Sequence, residues 1–250
     1  MTESNRLDDD ARDLDLSAFP FDEFAAFFFA RKVVPADEQY DYFVTDLHGE
    51  KYSESIPSSP EMLVNHLTKL FSEFGQIASK YTLAQVDQGI WGMWGENLRL
   101  YEFLFISSAP LERRLSCIRS MYHVYSDYVS QLERAPDPKI ESGIYMWWDL
   151  ILHGFWASSW ASSQPVVPGT WWRGDASMLD SESRVLLDVF FQTLTQILAI
   201  PNRASQVSAL HGLGHLYHPN VHDTVQRFID ANPTGFSLEW LEQCRDCTVL

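Results

Sequence analysis

Cysteine is scarce: Cys117, Cys244 and Cys247 are the only three in a chain of 250 residues. An odd, low count cannot build a disulfide framework and suits a reducing cytosol. Bases are also few, 18 Lys and Arg against 34 Asp and Glu, for a formal charge of −16. Such a surface repels phosphate backbones and anionic lipid, so neither nucleic acid nor membrane is an expected partner. Long uninterrupted apolar runs are missing. "GIYMWWDLILHGFWASSW" (Gly143 to Trp160) carries Asp149 and His153 near its middle, which marks a buried helix rather than a membrane span. The opening "MTESNRLDDDARDLDLS" lacks the basic start and apolar stretch of a secretory signal, and the cytoplasm is the expected location. No P-loop, dinucleotide fingerprint, EF-hand, G-x-S-x-G or H-E-x-x-H occurs. The terminal "CTVL" follows no polybasic segment, so a lipid anchor is not expected.

What is present is apolar and aromatic. Apolar residues make up 46% and aromatics 14%, with 9 Trp and 16 Phe, which is ample for a sizeable core. Residues 1 to about 16 read as a polar, acidic, mobile tail. "FPFDEFAAFFFARKVVP" repeats Phe at helical spacing until Pro35, and "QYDYFVTDLHGEKYS" suggests a short hairpin. From Ser59 the signals are helical. Ser59 caps and Pro60 opens a helix with the stripe Leu63, Leu67, Leu70, Phe74 and Ile77. A second helix covers about Leu83 to Phe105, where Gly89, Gly92 and Gly95 mark close contacts or a break. A third carries Leu115, Ile118, Tyr122, Tyr125, Val129 and Leu132 on one face. The aromatic helix around Trp147 and Trp148 follows, then a loop at 162–177 containing Trp171 and Trp172. Helices then return in "SESRVLLDVFFQTLTQILAI", "ASQVSALHGLGHLYH" and "NVHDTVQRFIDA". The expected class is all-α, an irregular α-solenoid of helical hairpins: a tail and irregular segment over 1–58, then a helical domain over 59–250.

The stretch "VSALHGLGHLYHPNVHDTVQRFID" resembles one HEAT-like repeat. Ala209, Leu210, Leu213, Gly214 and Leu216 occupy the core and small positions, and Pro219 the turn. Val221, Val225, Phe228 and Ile229 form the second stripe, while Gly212 departs from the usual Ala. "AQVDQGIWGMWG" echoes "SQVSALHGLGHL", though no strict period runs through the chain. "YMWWD" with "ALHGLGH" is similar to segments of bacterial proteins of this kind, which implies a bacterial source. The resemblance implies a helical array that binds another protein in a groove.

Two constellations offer chemistry. His211, His215 and His218 lie at i, i+4 and i+7 on one helical face, and a metal set of His211, His215 and His222 can be drawn from this stretch. The competing reading is a solvated or groove-lining face. Asp149 and His153 stand one turn apart among tryptophans, either as an oriented acid–base pair or as a satisfied core pair. "CRDC" (Cys244 to Cys247) is half a zinc site or two ordinary reduced thiols. The leading expectation is a non-enzymatic protein that holds, neutralises or scaffolds a basic protein through Trp171, Trp172, His211, His215 and His218, with no cofactor. The opposing one is a metal-dependent or acid–base enzyme using His211, His215 and His222 or the Asp149–His153 pair.

Overall fold

The computed structural model describes residues 12–35, 52–55, 57–95, 98–105, 108–132, 138–161, 176–231 and 234–249. Two short strands, β1 (Arg12–Leu14) and β2 (Tyr52–Ser55), pair in parallel. The other regular elements among the described residues are helical, so the described chain is all-α apart from this one ladder. The tail expected to run to about residue 16 ends earlier: Leu14 and Leu16 are both buried, and burial of two leucines fixes the segment. The hairpin expected in "QYDYFVTDLHGEKYS" falls mostly on residues 36–51, outside the described residues.

The helices are α1 (Phe21–Phe29), α2 (Pro60–Ser72), α3 (Phe74–Ala78), α4 (Leu83–Trp94) and α5 (Leu111–Val124). A π-helical turn at Tyr125–Val129 leads into α6 (Ser130–Leu132). Then come α7 (Pro138–Ala161), α8 (Ser181–Leu198), α9 (Arg203–Leu216), α10 (Val221–Asp230) and α11 (Leu238–Arg245). Their starts follow from local chemistry. Ser59 accepts from the Met62 amide, Thr82 and Gln85 form a reciprocal capping box, and Asn202 accepts from the Ser205 amide. The expected helix over 83–105 stops at Trp94. Gly95 is its extended C-cap, and a 3-10 turn at Leu100–Leu104 follows.

Much of the packing is between helices that are not consecutive in sequence. α1, α4 and α7 lie side by side in one row, and α2, α5 and α8 in another. α9 packs on both α7 and α8, α11 packs on α9, and α10 packs mainly on α11. The core between the rows is aromatic: Trp94 meets Trp147 edge-on at 5.1 Å, and Phe71 meets Trp147 at 5.4 Å. Glycine sets the closest approach. At Gly89 a Cβ would stand 2.4 Å from the Phe29 ring, so α4 and α1 touch there. The buried apolar cluster extends from Leu14 to Val249 and includes residues on both sides of position 58. No helix among the described residues is long and apolar enough to cross a membrane.

Candidate functional site

α7 and α9 run in the same direction, and two hydrogen-bonded anchors set their register. Ser208 Oγ donates to the Ile144 carbonyl at 2.7 Å, and the buried Tyr125 hydroxyl bonds Ser208 Oγ at 2.9 Å. Further along, the Trp156 indole N–H donates to the His215 carbonyl at 3.2 Å. Between these anchors, Gly212 lets α9 lie directly on Trp148. A Cβ at Gly212 would fall 2.8 Å from the Trp148 Cβ, so alanine, the usual residue of the resembling repeat, does not fit without movement.

This register brings Asp149 and His153 of α7 against His211 and His215 of α9. His153 Nδ1 lies 3.1 Å from Asp149 Oδ1, and His215 Nε2 lies 3.3 Å from the same oxygen. His215 Nε2 is also 3.0 Å from His211 Nε2, and His211 Nδ1 is 3.1 Å from the Tyr145 carbonyl. The two constellations read separately in the sequence are therefore one cluster. Among the described residues, Asp149, His153 and His215 are the group whose ligand atoms all lie within 4.8 Å of one another in a metal-competent set.

The hydrogen-bond network assigns the protons. A carbonyl only accepts, so His211 carries its hydrogen on Nδ1 and presents a bare Nε2 lone pair to the cluster. His215 then carries its hydrogen on Nε2, facing that lone pair with Asp149 beyond it. Burial, joined by the neighbouring His211, pushes His215 down to about 4, so His215 is neutral at pH 7. Burial likewise lowers His211. His153 goes the other way, raised by its hydrogen bond to Asp149. Burial alone would raise Asp149, but the hydrogen bond from His153 and the surrounding imidazoles outweigh it and hold the carboxyl below its ordinary value. The His215 and Asp149 side chains are 12% and 15% exposed, while His153 is 41% exposed, so the cluster opens to solvent on the His153 side.

The other residues singled out in the sequence lie elsewhere. His218 is buried, but it stacks on Phe191 at 4.1 Å and pairs with Asp188 at 3.0 Å, while accepting from the Asn220 amide. That places it at the entry to α10 as a structural contact. His222 is exposed and faces Asp223. The set His211, His215 and His222 is thus not what the fold assembles: His222 starts a different helix, and Asp149 and His153 take its place. Nor is the histidine face solvated as a whole, since His211 is 1% exposed. Cys244 and Cys247 are free thiols; burial raises both, Cys244 to about 12, which makes them poor nucleophiles. Trp171 and Trp172 lie outside the described residues.

Sequence reading missed the joining of the two pairs and the part of Tyr145. A signal was present. "LHG" occurs three times, at Leu47–Gly49, Leu152–Gly154 and Leu210–Gly212, and the histidines of the last two copies sit in acid- or His-x3-His pairs at one-turn spacing. Comparison with known proteins finds no family model, no curated protein and no solved structure that matches the chain.

Proposed function

We propose that the protein binds a divalent transition-metal ion through Asp149, His153 and His215 and is a metal-dependent hydrolytic enzyme. The observation that carries this is the convergence of one carboxylate oxygen and two imidazole nitrogens from α7 and α9 within 4.8 Å. Bonds of about 2.0–2.1 Å to a tetrahedral ion put ligand atoms roughly 3.4 Å apart. The separations of 3.1 and 3.3 Å from Asp149 Oδ1 match that spacing. Two histidines and one carboxylate, without thiolate, suit zinc or iron(II). Three protein ligands would leave a tetrahedral ion one further position, as in catalytic rather than structural sites, and the half-exposed His153 side would admit water to the cluster. Such an ion brings bound water to a pKa near 7. His211 is held by the Tyr145 carbonyl with its bare Nε2 turned into the cluster, where it serves as a further ligand or accepts a proton. This reading follows the enzymatic alternative rather than partner binding.

The finer fold reading belongs here as well. The rows α1–α4–α7 and α2–α5–α8 support a stacked, irregular solenoid-like array of helices, with α9 closing the stack.

The test is elemental analysis of the untagged, purified full chain, followed by titration of the chelator-treated protein with zinc or cobalt(II). Near one equivalent of bound ion, lost in Asp149→Asn and His215→Ala, is expected. Saturation that neither substitution alters would overturn the assignment.

A further inference from the structure

Following α7 and α9 one turn back from the cluster leads to a second feature. Tyr145 precedes Asp149 by one turn and Val207 precedes His211 by one turn, and both line a pocket of about 230 Å³ that is open to solvent. Arg203, Phe236 and Trp240 complete its main walls. The Phe236 and Trp240 rings lie nearly parallel, 13° apart with centroids at 6.4 Å. Arg203 Nη2 donates to the Gly235 carbonyl at 2.9 Å, which holds the guanidinium beside Phe236, 5.9 Å from the ring centre. Gly235 takes φ +83, a left-handed conformation that brings its carbonyl round to the arginine.

Charge singles this cavity out. The chain has 34 acidic residues against 18 basic ones, yet among the described residues that line the pocket there is a guanidinium and no carboxylate. A planar guanidinium matches a carboxylate, and flat aromatic walls match a flat apolar body. The volume suits one ring with a short acidic tail. Tyr145 is the shared wall: its ring lies flat on His211, 5° from parallel at 3.9 Å. The Tyr145 ring therefore stands between an occupant of the pocket and His211.

We infer that this cavity binds small aromatic carboxylic acids and recognises the acidic end of the substrate of the Asp149–His153–His215 site. The second half of that statement rests on the metal-dependent reading above, while the binding itself does not. The test is calorimetric titration of the full chain with 3-phenylpropionate, with and without one equivalent of zinc. Saturable binding is expected in both states. It should weaken at least tenfold in Arg203→Gln and for the uncharged probe 3-phenylpropanol. Val207→Trp, which fills the cavity from a partly exposed helix position, should abolish it. Asp149→Asn should leave it intact in the metal-free chain. Equal affinity for the alcohol, an unaltered Arg203→Gln, or no saturation at millimolar ligand would overturn the inference. Arginine-dependent binding in a chain that takes up no metal would keep the cavity as an acid-binding site and remove its role as a substrate pocket.

Discussion

His215 Nε2 on α9 stands 3.3 Å from Asp149 Oδ1 on α7, and the hydrogen on that nitrogen, which faces His211 Nε2 at 3.0 Å, is one that a metal ion has to displace. That hydrogen moves to Nδ1 of the neutral imidazole, while His153, raised by Asp149, gives up a proton when it binds a metal, so metal uptake by this cluster weakens as pH falls. Losing an outer hydrogen-bond partner of a metal site costs roughly 10- to 100-fold in affinity. Removing Asp149, which touches both ligand histidines, should cost more than that. Cobalt(II) titration of Asp149→Asn, followed by visible absorption, checks this. An affinity within threefold of the parent would show that the carboxylate is not a ligand.

The same buried imidazole makes the metal-free chain acid-sensitive. The His215 pKa is about 4 in the folded chain and near 6.5 when unfolded. Below pH 6.5 the unfolded chain binds the extra proton, so stability present above that pH is lost as pH falls toward 4. The depression corresponds to about 3 kcal/mol, fully lost only below the folded value. His211, also lowered by burial, acts in the same direction. His153, raised by Asp149, acts oppositely: its contribution is present below its unfolded pKa and fades as pH rises through its folded one. Urea midpoints measured from pH 7.5 to 4.5 should fall for the parent and fall less steeply for His215→Gln. Parallel curves would mean that His215 does not govern the slope.

Much of this fold was legible in the sequence, and the reason is local. Ser59 with Pro60, Asn202 and the apolar stripes are signals contained within one helix, and the helices form where those signals lie. The glycines at 89 and 95 were read as contacts or a break, and the fold uses both, one at Phe29 and one as the end of α4. The site was legible only in halves. Asp149 with His153, and His211 with His215, are each visible at one-turn spacing. Their union depends on two parallel helices in register, fixed by Ser208 on the Ile144 carbonyl and by Trp156 on the His215 carbonyl. Neither bond leaves a mark in the local pattern. His222 shared the local spacing but belongs to α10, beyond a left-handed Tyr217, which turns the chain away.

That division can be checked at His218 and His222. His218→Ala removes the acceptor for the Asn220 amide and the stack on Phe191, at a cost of about 1 kcal/mol. His222→Ala, at an exposed position, should stay within about 0.5 kcal/mol. Both variants should bind zinc as the parent does. A tenfold loss of zinc affinity in His222→Ala would restore it to the metal set and contradict the geometry described here.

Gly212 connects packing to chemistry most directly. Replacing it with Ala gains up to about 1 kcal/mol in helix propensity, since glycine is the poorer helix former. Against this, the new methyl would lie 2.8 Å from both the Trp148 Cβ and a Leu194 methyl. The Trp148 atom is next to the backbone and the indole is fully buried, so neither can swing away, and overpacking of this kind costs about 1–3 kcal/mol. Strain should win, for a net loss on the order of 1 kcal/mol in urea unfolding. The larger effect should be on the cluster. Pushing α9 off Trp148 lengthens the Asp149–His215 contact one turn away, so zinc affinity should fall by tenfold or more although no ligand has been changed. A Gly212→Ala chain that loses stability yet binds zinc at parental affinity would show that the helix spacing at Trp148 does not set the geometry of the site.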